Sequence, residues 1–173
     1  LLIILLPLII IALIILIDDG KPVLIWSKRV GLQNTYFYMP KFRTMKLDTP
    51  DLASHLLKNP KKYMTNSANI LRKFSLDELP QIYCLFNGTM NIIGPRPALH
   101  NQYDLIDLRN QKNINNMKPG ITGYAQINGR DNISISKKIE YDYYYYKNKS
   151  ILLDFKIILL TIFKVILKKN VQH

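Results

Sequence analysis

The chain has 173 residues, with 24 Lys and Arg against 12 Asp and Glu, and a formal net charge of +12. That length suits a single domain with a sizeable core, and the charge favours an anionic partner: nucleic acid, an anionic membrane face or a phosphorylated substrate. The single cysteine, Cys84, excludes an internal disulfide and a multi-cysteine metal site, and its apolar neighbours mark it as a core residue.

Residues 1–17 are Leu, Ile and Ala apart from Pro7, and the run stops at Asp18-Asp19-Gly20-Lys21. Opening on Leu1 in mid-hydrophobe, the sequence reads as a fragment lacking its true N-terminus. A helix needs about 20 apolar residues to span a bilayer. The basic start and small-residue cleavage site of a signal peptide are absent, so 1–17 reads as a membrane segment. Pro7 removes a helix hydrogen bond and bends the helix, which suits a re-entrant segment that dips into one leaflet. An ordinary spanning helix with a tolerated proline is the alternative.

Pro22–Trp26 and Thr35–Met39 have the composition of short strands around a turn at Gly31–Asn34. In Lys41-Phe42-Arg43, two cations flank one aromatic, so period-2 alternation points both at one anionic ligand. Thr49-Pro50 predicts an N-cap and a helix from Pro50 to about Lys58, ending before Pro60. Lys58, Lys61 and Lys62 are placed to meet anionic lipid headgroups, or are plain surface lysines. Arg72 lies five residues before Asp77 and so within reach of the same site.

Ser75–Pro97, SLDELPQIYCLFNGTMNIIGPRP, is the densest stretch. Pro80 suits the first turn of a helix that begins near Leu79, with Asp77 and Glu78 at its N-terminal end. The macrodipole there favours ionised carboxylates, one fit to act as a nucleophile and its neighbour to hold a divalent cation. Ser75-Leu76-Asp77-Glu78 also matches a capping box, and a cap is compatible with a reactive side chain. After a turn at Asn87-Gly88 comes Gly94-Pro95-Arg96-Pro97. Two prolines stiffen the chain around Arg96, which then presents its guanidinium fork with little entropy to lose, as phosphate recognition requires. A rigid turn with a solvated arginine is the other reading.

Ala98–Met117 is expected as a helix followed by a polar loop. Lys118–Arg130 is rich in turn formers, and its three glycines allow close approach of the backbone to a ligand, without P-loop spacing. Ser136–Asn148 predicts a helix carrying Tyr141 and Tyr143–Tyr146. Asp142, if buried there, needs a partner, for which Arg130 is one candidate. Ile151–Lys169 is amphipathic, with Leu152, Phe155, Leu159, Ile162, Phe163 and Ile166 at helical spacing and Lys156, Lys164 and Lys168 on the polar side. It fits either a membrane interface or the domain's own core. His55, His100 and His173 have no metal-ligand spacing.

Taken together, Lys41–Met45 (KFRTM), Leu76–Gln81 (LDELPQ), Gly94–Pro97 (GPRP), Lys118–Gly123 (KPGITG), Ala125–Arg130 (AQINGR) and Leu153–Ile157 (LDFKI) resemble the monotopic phosphoglycosyl transferases. These are the bacterial sugar transferase family. The motifs occur in the family's order from about Ile3 to Lys169, and the likeness is greatest to small members without extra transmembrane helices. The resemblance implies that Asp77 attacks the β-phosphate of a UDP-sugar, releasing UMP and leaving a covalent phosphosugar-aspartate. A polyprenol (undecaprenyl) phosphate then takes the phosphosugar. By the same resemblance Glu78 is a Mg2+ ligand, and Lys41, Arg43, Arg72 and Arg96 are phosphate-binding candidates. Arg130 contacts nucleotide or sugar, and Asp142 is a further site candidate. The family carries a Ser-Pro pair that breaks a re-entrant helix; here it is Leu6-Pro7, which keeps the proline and loses the hydroxyl.

The expectation is therefore an α+β, predominantly helical protein with a small β-hairpin or sheet and amphipathic interfacial helices. Residues 1–17 form a re-entrant membrane helix, and 18–173 a catalytic domain on the cytosolic face of the bacterial inner membrane. Membrane lipids are partners and nucleic acid is not, because no nucleic-acid motif accompanies the charge. The competing reading is a non-catalytic, membrane-anchored binding module of a glycan pathway.

Overall fold

The computed structural model describes residues 2–50, 59–129 and 133–166. The fold is α+β and mainly helical, with small two-stranded sheets. The chain divides into two compact units, one built on residues 2–26 and 40–80 and the other on 27–39 and 81–166. The expected helix over Pro50–Lys58 falls on 51–58, outside the described residues, as do Lys168 and Lys169.

In the first unit, α1 (Leu2–Asp19) is one helix through Pro7. Leu8, Ile11, Ala12 and Ile15 lie at helical spacing and pack on Phe42 and Leu71, with Val23, Leu76 and Leu79 around them. From Leu5 onward the remaining apolar side chains are open: Leu6 is 62% and Ile17 86% exposed. Among the described residues no helix is long and apolar enough to cross a membrane. The C-terminal end of α1 is held by polar contacts. Asp18 accepts hydrogen bonds from the Ser67 N–H (2.8 Å) and the Asn66 amide (2.9 Å). Beyond it, residues 44–46 pair with 63–65 through a Met45–Met64 bridge, and α2 (Ala68–Lys73) follows.

β1 (Leu24–Val30) and β2 (Tyr36–Phe42) form the expected hairpin, each running further than the sequence suggested. The turn is a 3-10 segment, Leu32–Asn34, closed by the Gly31 N–H on the Thr35 carbonyl at 2.7 Å. Strand β2 runs through Pro40, which an edge strand tolerates.

The expected helix from Leu79 is instead a 3-10 helix, Leu76–Gln81, followed by the short α3 (Ile82–Phe86). An α-helical turn up to Pro80 would press its ring on the carbonyl four residues back, whereas a 3-10 turn relieves that contact. The Glu78 N–H donates to the Ser75 carbonyl at 3.1 Å. Ser75 itself is left-handed, with φ +54°, not the extended backbone of a capping-box N-cap. That conformation is costly for a non-glycine residue, and here it lies two positions before Asp77.

The second unit has two apolar clusters. Phe37, Met39, Cys84 and Met90 form one, in which burial pushes the Cys84 thiol above its usual range. The other joins Ala98, Leu105, Ile114, Met117, Ile127, Ile139, Tyr145 and Ile157. It draws on α4 (Tyr103–Gln111), α5 (Tyr124–Ile127), α6 (Ile135–Asn148) and α7 (Ile151–Ile166). Helix α6 is capped by Ser134, whose hydroxyl accepts the Lys137 N–H. Helix α7 carries two apolar stripes. Leu153, Ile157 and Leu160 pack on the core, while Leu152, Phe155, Leu159, Ile162 and Phe163, the stripe picked out in the sequence, are exposed.

β3 (Asn91–Ile93) pairs in parallel with β4 (Gly120–Thr122). Here the glycines correct an expectation. A Cβ on Gly94 would lie 2.5 Å from the Lys118 carbonyl oxygen, one on Gly120 would lie 2.1 Å from the Gly94 nitrogen, and one on Gly123 would lie 2.1 Å from the Gly94 oxygen. These glycines let backbone approach backbone, not a ligand.

Two outcomes follow. Gly123→Ala should lower unfolding stability by roughly 1–3 kcal/mol, since backbone has nowhere to yield; a melting temperature equal to wild type in detergent would contradict this contact. Asp18 is held below the usual carboxylate range, chiefly by the Ser67 N–H. Its contribution is therefore present above the ordinary carboxylate pKa and fades as pH falls through its lowered folded value. Asp18→Asn should cost about 0.5 kcal/mol at neutral pH, the scale of a solvent-screened contact, with the two melting temperatures converging in acid.

Candidate active site

The 3-10 helix Leu76–Gln81 carries Asp77 and Glu78 in its first turn. Asp77 is 5% exposed. A carboxylate so placed needs compensating charge, and the first unit supplies two cations. Lys41 Nζ donates to Glu78 Oε1 at 2.9 Å, both side chains being largely buried. Arg72 reaches out of α2, and its Nε donates to Thr44 Oγ1 at 2.9 Å. Burial pushes the Arg72 guanidinium below its usual value and the negative charge of Asp77 draws it back up, so the two groups share one electrostatic environment. Arg72 stays cationic, as arginine does throughout the working pH range. Sequence reasoning placed Arg72 near the acidic pair; that Lys41 meets Glu78 is a finding of the fold.

Arg43 departs from expectation. It does not share a ligand-facing side with Lys41. Its guanidinium is 2% exposed and closes the end of α1, donating to the carbonyls of Asp19 (2.7 Å) and Gly20 (2.8 Å) and pairing with the Asp19 carboxylate at 3.0 Å. A cation at the negative end of a helix is the physical reason. Period 2 failed as a guide because β2 ends at Phe42, and alternation has no force beyond a strand.

In the second unit, Arg96 is half-buried between the buried Pro95 and Pro97. Asp142, on α6, is 2% exposed and accepts from Arg109 Nε (3.1 Å) and Nη2 (2.7 Å). Burial pushes the Asp142 carboxyl up, and the Arg109 guanidinium opposes that. Its described partner is Arg109. Arg130 lies outside the described residues. Arg109, and Thr44 behind Arg72, were not singled out in the sequence. Nothing in the local pattern marks Arg109, whereas Thr44 sat inside KFRTM and its polarity beside two cations was a usable signal.

For a divalent cation, no group of three or more His, Cys, Asp or Glu stands ready among the described residues. Magnesium needs no such cage. It takes one or two carboxylates and completes its shell with water and substrate phosphates. Glu78, a hard oxygen donor on the same turn as Asp77, fits that requirement, although one of its oxygens already faces Lys41.

A bacterial sugar transferase family model matches residues 1–168. The chain is 41% identical over 156 residues to the uncharacterized sugar transferase EpsL of Bacillus subtilis, covering 89% of this chain and 75% of that protein. It is 39% identical over 160 residues to the UDP-glucose:undecaprenyl-phosphate glucose-1-phosphate transferase of Xanthomonas campestris, and 35% identical over 167 residues to the Escherichia coli protein of that name. These alignments cover 86% and 92% of this chain but only 32% and 36% of those longer proteins. An acidic pair on a proline-bearing turn, a lysine and an arginine that answer its charge, and a match along nearly the whole length agree: the chain belongs to the bacterial sugar transferase family.

Proposed function

We propose that the protein transfers a sugar-1-phosphate from a UDP-sugar to polyprenol (undecaprenyl) phosphate, by way of a covalent intermediate on Asp77. The observation that carries the reading is the turn Leu76–Gln81. It holds a nearly buried Asp77 beside Glu78, with Lys41 on one carboxylate and Arg72 responding to the other.

An Asp77 carboxylate oxygen attacks the β-phosphorus of the donor. The bond from that phosphorus to the bridging oxygen breaks, and UMP leaves with the electron pair. The acyl phosphate that remains links Asp77 to the phosphosugar. An oxygen of polyprenol phosphate attacks the same phosphorus, the bond to Asp77 breaks, and the carboxylate is restored with a polyprenol-diphosphate sugar as product. Dividing the transfer in this way suits a carboxylate nucleophile. Lys41 and Arg72 keep fixed positive charge beside the reacting phosphate, where preorganised electrostatics act most strongly. Glu78 is the proposed holder of Mg2+, which when bound neutralises diphosphate charge. Arg96 is proposed as a further donor-phosphate ligand and Arg130 as a contact to nucleotide or sugar.

The acceptor is a lipid, and each unit offers surface suited to one. Helix α1 leaves Leu6 and Ile17 open, and α7 leaves Leu152 at 83% and Phe155 at 61% exposure. Apolar helix faces of this kind, with lysines nearby, favour the headgroup boundary of a membrane. We therefore place the protein on the cytosolic face of the inner membrane, with residues 1–17 as a re-entrant segment, and assign it to the first membrane step of a glycan pathway.

Membrane-reconstituted protein should release UMP, not UDP, from a UDP-sugar in the presence of Mg2+ and polyprenol phosphate. Asp77→Asn should reduce release by at least about a thousandfold. Donor alone should leave a phosphosugar mass on the Asp77 peptide. UDP release, or an adduct elsewhere, would refute the mechanism. Lys41→Met, which removes the Lys41–Glu78 ion pair, should lower kcat/KM by about 10- to 100-fold. EDTA should abolish turnover and added Mg2+ restore it.

A further inference from the structure

The segment Gly94–Ala98 contains two prolines and so offers few N–H groups for a ladder, yet none of its carbonyls from Pro95 to Ala98 lacks a donor. The Gly94 N–H donates to the Thr122 carbonyl at 2.9 Å. The Pro95 carbonyl accepts from the Gly120 N–H at 3.0 Å and the Ala98 carbonyl from the Val30 N–H at 3.0 Å. Between them the donors are side chains. Arg109 Nη1 donates to the Arg96 carbonyl at 2.9 Å, and Arg29 Nη1 to the Pro97 carbonyl at 3.2 Å.

Arg109 is itself fixed. One edge of its guanidinium, Nε and Nη2, lies on Asp142 Oδ2, which leaves Nη1 directed at Arg96. A planar guanidinium held along one edge has a single direction for its remaining nitrogen, a constraint lysine cannot reproduce. The contact is made at the one residue of the segment whose own side chain stays partly open, since Pro95, Pro97 and Ala98 are all buried. A merely space-filling role needs no charge here. Burying a carboxylate and an arginine is costly, and well-packed apolar groups commonly serve stability as well.

We infer that Arg109, aligned by Asp142, is a positioning residue that fixes the main chain at Arg96 and so sets the direction of the Arg96 guanidinium towards the donor phosphate. Arg29 does the same one carbonyl further on. Neither touches substrate. Asp142, a site candidate by the family resemblance, acts here through Arg109 rather than on the substrate. The inference rests on the donor-phosphate role proposed for Arg96.

The test is a double-mutant cycle on kcat/KM for UMP release, using wild type, Arg96→Ala, Arg109→Lys and the double variant. Arg109→Lys alone should lower kcat/KM about tenfold, chiefly through a higher KM for the UDP-sugar, because a displaced phosphate ligand acts at a distance of an ångström or less. In the Arg96→Ala background the same substitution should produce no further loss. Equal losses in both backgrounds, or a fall in kcat alone that follows a smaller folded fraction, would overturn the inference while leaving the proposed function standing. If Arg109→Lys does not fold, Arg29→Lys takes its place in the cycle with the same two outcomes. A wild type that releases no UMP from any UDP-sugar overturns the proposed function and this inference with it.

Discussion

Taking a carboxylate out of water costs several kcal/mol unless a cation and hydrogen bonds go with it. Both units of this protein are arranged around that constraint. In the first, Glu78 is answered by Lys41 and the charge of Asp77 bears on Arg72. In the second, Asp142 is answered by Arg109. Such pairs add little net stability, but they fix where charge sits. Cations already in place when charge moves act most strongly on it.

The second constraint is backbone proximity. Gly94, Gly120 and Gly123 bring β3, β4 and the start of α5 to distances that any Cβ would forbid. The parallel pairing Asn91–Gly120 and Ile93–Thr122 then delivers the chain into Gly94–Ala98 in one register. From there the carbonyls of Pro95 to Ala98 are each met by a donor. The rigidity that two prolines suggest is thus completed by distant parts of the second unit: Arg29 and Val30 from β1, Arg109 from α4 and Gly120 from β4. Proline restricts the local dihedrals, but only these contacts give the segment an orientation.

A third feature concerns what is left uncovered. In α1 and α7 one apolar stripe serves the core and another faces outward. For α7 the two readings of the sequence, core helix and interfacial helix, were not exclusive. Leu153, Ile157 and Leu160 satisfy the first, and Leu152, Phe155, Leu159, Ile162 and Phe163 leave surface for the second. Surfaces this apolar are unusual on a protein meant to meet only water.

Much was legible in the residues themselves. The family motifs in order, the α+β class, the hairpin, the α6 and α7 helices and the place of Asp77 and Glu78 in the first turn of a helix follow from short-range signals: periodicity, turn formers and the spacing of chemical groups. Arg72 was legible as a neighbour of the pair because it lies five residues away, whereas the contact of Lys41 with Glu78 was not. What tertiary structure alone decided is everything that depends on long-range partners. Arg43 belongs to the end of α1, Asp142 to Arg109, and Gly120 and Gly123 to the backbone of Gly94. The physical reason is the same in each case. Local sequence sets which conformations and charges are available, but a buried charge or a close backbone contact is satisfied by whichever group the folded chain brings within 3 Å, and that group is most often dozens of residues away.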